Sequence, residues 1–128
     1  MTTHILSMTY APKIEKVFSG EITQTIRRWW PGQPKKMIGD DLLIHTWEGK
    51  PYRSKWGKRL YAEITYLDII DLDTITDEEL TILAELDGIE PPTAEELKRT
   101  LSRLNGGLVG GDYQVIRWKP VDDETWIF

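Results

Sequence analysis

Apolar residues recur along the chain in short blocks whose spacing changes from strand-like to helical and back. Ile5 to Tyr10 is a compact apolar run that predicts a strand. Ala11-Pro12 opens a helix, with Pro12 near the first helical position, where the N–H it lacks is not needed. Ile14, Val17 and Phe18 form its apolar stripe and Gly20 its stop, with Lys13, Glu15 and Lys16 expected in solvent. Thr23 to Trp30 is rich in β-branched and aromatic residues and predicts a strand closed by Pro31-Gly32. A loop over Gly32 to Asp41 leads to a strand at Leu42 to Trp47, then a basic, aromatic loop at Glu48 to Gly57. Leu60 to Ile70 alternates, with Leu60, Ala62, Ile64 and Tyr66 on one face and Tyr61, Glu63 and Thr65 on the other, the pattern of a half-buried strand.

Two capped helices follow. Thr76-Asp-Glu-Glu79 and Thr93-Ala-Glu-Glu96 are capping boxes, in which the Thr hydroxyl and the Glu three residues on satisfy each other's free backbone donors. Leu80, Leu83 and Leu86 form the first apolar stripe and Leu97, Leu101 and Leu104 the second. Pro91-Pro92 separates the helices, and Asn105-Gly106-Gly107 ends the second. Tyr113 to Lys119 returns as a strand, and Thr125 to Phe128 is expected to be tied into a sheet. No repeat or linker divides the chain, so residues 1–128 are expected to form one α+β domain. Its architecture is a small curved sheet or open β-barrel of mostly antiparallel strands with about three helices.

Composition narrows the chemistry. The chain has no Cys, which excludes disulfides, thiolate metal sites and Cys nucleophiles. No apolar run approaches the roughly 20 residues of a membrane span, and MTTHILSMTY lacks the marks of a secretory signal, so a cytoplasmic protein without membrane contact is expected. His4 and His45 stand far apart without acidic or Cys neighbours at ligand spacing. Asp68, Asp71, Asp73 and Asp77 lack the Gly and terminal Glu of a calcium loop. Gly106-Gly107 and Gly110-Gly111 bracket Leu108-Val109 without the Lys-Ser/Thr of a phosphate loop, and read as a flexible connection. Neither a metal nor a cofactor is expected.

The net charge of -5 is unevenly spread. Residues 1–60 hold eleven bases and five acids, a net of +6, while residues 61–128 hold five bases and sixteen acids, a net of −11. Trp29, Trp30, Trp47 and Trp56 lie in the basic half. Cations neutralise phosphates and rings stack on bases, so this interleaving suits a nucleic-acid surface; solvated charges over core Trp residues give the same composition. Lys50, Arg53, Lys55, Lys58 and Arg59, with Tyr52 and Trp56, make the densest basic-aromatic stretch, either a phosphate-gripping lip or a solvated loop. Alternation sets Thr23, Thr25, Arg27 and Trp29 on one face and Arg28 and Trp30 on the other, with one Trp expected in the core.

The segment FSGEITQTIRRWWPGQPKKMIGDDLLIHTW resembles the ASCH domain family, whose signature G-x-K-x-x-E-x-R reads G-R-K-T-x-T-x-R in a bacterial subgroup. Gly20 and Arg27 match its ends, and Thr23 and Thr25 match the two threonines. Ile38-Gly39-Asp40 and Leu42-Leu43-Ile44 match the family's Gly-Asp turn into a strand. The resemblance implies a PUA-like fold and binding of RNA or a modified nucleoside in a cleft. Together with the basic, aromatic stretches, it sets a cleft lined by Gly20, Thr25, Arg27 and the basic loops, with Gly20, Thr23, Arg27, Arg28, Trp29, Lys35, Lys36, Arg53, Lys55 and Trp56 as ligand-binding candidates.

The subgroup is an amidohydrolase acting on N4-acetylcytidine, which by resemblance makes Thr25 a nucleophile and Glu90 its acidic partner. Its Lys is replaced here by Ile22, which can neither take a proton nor stabilise an oxyanion. A hydrolase of this type or a related RNA-processing hydrolase, and a protein-interaction module docking through the acidic helices, therefore stand as alternatives to simple binding.

Overall fold

The computed structural model describes residues 2–107 and 110–121. In chain order their elements are β1 (Thr3–Ser7), α1 (Ala11–Phe18), β2 (Gln24–Arg28), β3 (Asp41–Trp47), β4 (Trp56–Asp71), α2 (Asp77–Leu86), α3 (Ala94–Leu104) and β5 (Asp112–Pro120). The strands make one sheet in the order β1-β3-β4-β5-β2. The α+β class and the three helices are as expected, and the sheet is open, with β1 and β2 at its edges. β3 runs antiparallel to β4, but β1 runs parallel to β3, from Thr3 opposite Asp41 to Ser7 opposite His45. A parallel neighbour requires a long crossover, and residues 8–40 supply it. The expected strand at Thr125 to Phe128 and the Leu108-Val109 connection lie outside the described residues.

The chain divides into two compact units. Unit 1 comprises Met1–Thr23, Lys35–Leu67 and Arg117–Phe128, and unit 2 comprises Gln24–Pro34 and Asp68–Ile116. Charge follows this division. Among the described residues unit 1 carries eleven bases and six acids, a net of +5, and unit 2 five bases and twelve acids, a net of −7.

In unit 1, Leu42, Leu43 and Ile44 of β3, Ala62 and Ile64 of β4 and Val17 of α1 are buried. Lys13, expected in solvent, is buried as well: it precedes Val17 by one turn on the same face, and its aliphatic stem suits that position. β4 begins at Trp56, not at Leu60. Tyr66 departs from the buried face of β4 and is partly exposed, with the Arg117 guanidinium 4.3 Å from its ring centroid.

In unit 2, the Thr76 and Thr93 hydroxyls accept from the backbone N–H of Glu79 at 3.2 Å and of Glu96 at 3.1 Å, so both helices start at their capping boxes. Leu80, Leu83 and Ala84 of α2 and Leu97, Thr100 and Leu101 of α3 are buried, and the two helices pack together. Leu86 and Leu104, expected in the stripes, are 45% and 50% exposed because each is the last residue of its helix. Neither Trp29 nor Trp30 reaches the core, since β2 ends at Arg28 and both lie beyond it. No helix among the described residues is long and apolar enough to cross a membrane.

Candidate functional site

The β3–β4 hairpin of unit 1 holds a cluster of rings built by a β-bulge. His45 pairs with Arg59 and Trp47 with Trp56, so Thr46 alone opposes two residues, Gly57 and Lys58. The Thr46 hydroxyl accepts from the Lys58 backbone N–H at 2.8 Å, and a Cβ on Gly57 would fall 2.6 Å from that same oxygen. Gly57 is therefore the residue the bulge admits. The shifted register sets Trp47 opposite Trp56. His45 stacks on Trp56 with ring centroids 3.9 Å apart and meets Trp47 edge-on at 4.8 Å. Nδ1 of His45 donates to the Thr46 carbonyl at 3.1 Å, and the Arg59 guanidinium lies 5.1 Å from the Trp56 centroid.

The connecting loop is closed by its own hydrogen bonds. The Glu48 N–H donates to the Lys55 carbonyl at 2.9 Å. The Ser54 hydroxyl accepts from the Gly49 N–H at 3.0 Å and donates to the Lys50 carbonyl at 3.0 Å. At the tip, the Arg53 N–H donates to the Lys50 carbonyl at 3.1 Å, making a turn of Lys50-Pro51-Tyr52-Arg53. Pro at the second position and positive φ at the third are the marks of a type II turn, whose third position favours Gly or Asn. Tyr52 occupies it with φ 62°. The Met37–Asp40 turn, closed by Asp40 N–H to the Met37 carbonyl at 3.0 Å, has Gly39 at φ 95° in the same place.

Left-handed backbone costs a residue with a Cβ roughly 1–2 kcal/mol. The Tyr52 ring recovers about 0.5–1.5 kcal/mol at most through its contact with Trp47. That contact has centroids 5.2 Å apart and planes tilted by 50°, and it leaves Tyr52 82% exposed. The Trp47 indole N–H is buried and has no acceptor among the described residues. Around the tip, Lys50, Arg53, Lys55 and Lys58 are exposed and form no ion pair among the described residues. Trp56, a candidate ligand contact, is half-buried between His45 and Arg59, whereas Tyr52 is 82% exposed. The Lys-Pro-X-Arg order signals the turn in the sequence, but the ring's exposure follows from backbone geometry.

Unit 1 also contains a buried pair. Nε2 of His4 donates to Oδ2 of Asp40 at 2.8 Å, and the same oxygen accepts the Met37 N–H at 3.0 Å. The hydrogen bond from His4 is the largest influence on the Asp40 carboxyl and holds it below the usual carboxylate range; burial acts in the opposite direction, more weakly. His4 thus has an acidic partner that sequence distance concealed. Of the other candidates in this unit, Gly20 is exposed at φ 84°, and the Thr23 carbonyl accepts from the Trp118 N–H at 3.1 Å. Lys35 is exposed and Lys36 half-buried. An open pocket of about 530 Å³ beside Gly20 is lined by Glu15, Lys16, Phe18, Ser19, Glu21 and Lys58.

Unit 2 holds the remaining candidates. Thr25 is buried, and its hydroxyl accepts from Nε of Arg27 at 3.2 Å, as expected for neighbours on one strand face. Arg28 donates from Nη1 to the Gly110 carbonyl at 3.1 Å and the Tyr113 hydroxyl at 3.2 Å. Its guanidinium lies 5.4 Å from the Tyr113 ring centroid, so Arg28 is engaged in packing. Gly111, expected in a flexible connection, donates its N–H to Asp73 at 3.2 Å. Trp29 is half-buried and Glu90 is exposed just ahead of α3. Ile22, at the family's Lys position, is buried in unit 1. No group of His, Asp and Glu among the described residues is arranged to hold a metal ion.

The fold is that of ASCH domains. An ASCH domain structure from Lactobacillus crispatus matches with a TM-score of 0.57 at 14% identity, covering 91% of this chain and 79% of that one. A mutant ASCH protein from Zymomonas mobilis matches with a TM-score of 0.51 at 14% identity, covering 97% of this chain and 78% of that one. No family model and no curated protein matches the sequence.

Proposed function

We propose that this chain is an ASCH-family domain of PUA-like architecture that binds RNA or a modified nucleoside through its basic surface. The observation that carries the reading is the β3–β4 hairpin, where Lys50, Arg53, Lys55 and Lys58 are exposed and form no ion pair among the described residues. Such cations hold displaceable counterions, and phosphates release them, which supplies the sequence-independent part of nucleic-acid affinity. Gly20, Thr23, Arg27, Arg28, Trp29, Lys35, Lys36, Arg53, Lys55 and Trp56 are the ligand-binding candidates under this reading. Binding of single-stranded, duplex and transfer RNA at low salt tests it, and failure with all three refutes it.

The Thr25–Arg27 hydrogen bond favours a second reading, an amidohydrolase acting on N4-acetylcytidine or a related RNA-processing hydrolase. Arg27 remains protonated, so it orients the hydroxyl and stabilises negative charge without serving as a base. Under this reading Glu90, or Lys35 or Lys36 from the neighbouring loop, takes the proton, because Ile22 cannot. Incubating wild type, Thr25→Ala and Glu90→Gln with N4-acetylcytidine separates the readings: hydrolysis by wild type alone supports the enzyme.

A further inference from the structure

We propose that the β3–β4 hairpin is a stacking site for one unpaired nucleobase of a single strand, with the Tyr52 ring as its platform. The inference rests on the nucleic-acid-binding reading above and gives it a position and a strand type. Tyr52 is held at φ 62° in a turn position that Gly39 fills in the Met37–Asp40 turn. An aromatic residue in a glycine position is a local cost, and such costs concentrate where the residue serves a ligand. The ring's tilted contact with Trp47 leaves it 82% exposed.

An exposed aromatic face is what an unpaired nucleobase stacks on, through its π-face. Lys50, Arg53, Lys55 and Lys58 of the same hairpin are exposed and can meet the phosphates of that strand. In a duplex each base already stacks on its neighbours, so a single projecting ring meets a free face only in an unpaired strand.

The test uses the full chain, a fluorescein-labelled twelve-residue uridylate, and the same strand with abasic residues at its centre. Wild type is expected to bind the complete strand at least about fivefold more tightly than the abasic one, the lower end of a stacked base's usual contribution. Tyr52→Phe keeps this preference. Tyr52→Gly removes it, with its urea midpoint unmoved or raised because glycine relieves the backbone cost. If wild type binds both strands equally, or Tyr52→Gly keeps the preference, the stacking inference fails and the RNA reading stands. If wild type binds neither strand nor any other RNA, both fall.

Discussion

Nε2 of His4 lies 2.8 Å from Oδ2 of Asp40, joining the first strand to the Gly39-Asp40 turn that leads into β3. Both side chains are buried, and Asp40 titrates below its usual range. A carboxyl depressed in the folded state stabilises the fold above its unfolded value of about 3.9, and that contribution vanishes as pH falls through the lower folded value. Asp40→Asn is expected to cost about 1.5–3 kcal/mol at pH 7, the usual worth of a hydrogen bond to a charged group. The variant should also lose less stability than wild type below about pH 4. Urea unfolding across pH 2–7 checks both, and parallel curves for the two proteins would mean that Asp40 does not carry this acid sensitivity.

Much of this architecture is legible in the sequence because its signals are local. Thr76 and Thr93 cap their helices through residues three positions away, and Pro12 and Gly20 bracket α1. Thr25 and Arg27 meet because alternate residues of a strand share a face. What escapes the sequence depends on long-range partners or on chain ends. His4 finds Asp40 only when β1 lies parallel to β3. Leu86 and Leu104 continue a helical stripe but fall at the helix ends, outside the packed face. Tyr52 reads as one ring among several until the turn projects it and the bulge turns Trp56 toward His45.

Gly57→Ala is expected to break the bulge. Its methyl group would meet Thr46 Oγ1 at 2.6 Å, and rotating that stiff, β-branched side chain forfeits its hydrogen bond to the Lys58 N–H. The predicted loss is about 1–3 kcal/mol in urea unfolding. A stability within 0.5 kcal/mol of wild type, roughly the span of neutral surface changes, would show that the bulge tolerates a Cβ.

Gln24 is a buried polar link in unit 2. Its Nε2 donates to the Leu83 carbonyl at 3.1 Å and to Asp87 Oδ1 at 3.3 Å, tying β2 to the end of α2. Gln24→Leu keeps the volume and removes the donor, so it is expected to cost about 1–3 kcal/mol. Faster hydrogen exchange of the last turn of α2 in the variant, with α3 less affected, would locate the damage. Unchanged exchange there would place the link elsewhere.

If the exposed cations of the β3–β4 hairpin bind the phosphates of a nucleic-acid strand, a salt titration measures it most directly. Each phosphate neutralised on a single strand contributes about −0.7 to the slope of log affinity against log salt. Contacts from Lys50, Arg53, Lys55 and Lys58 therefore predict a slope of about −3 for a single-stranded oligonucleotide. Lys55→Ala should make it shallower by about 0.7. A slope near zero, or no binding at low salt, would contradict the account.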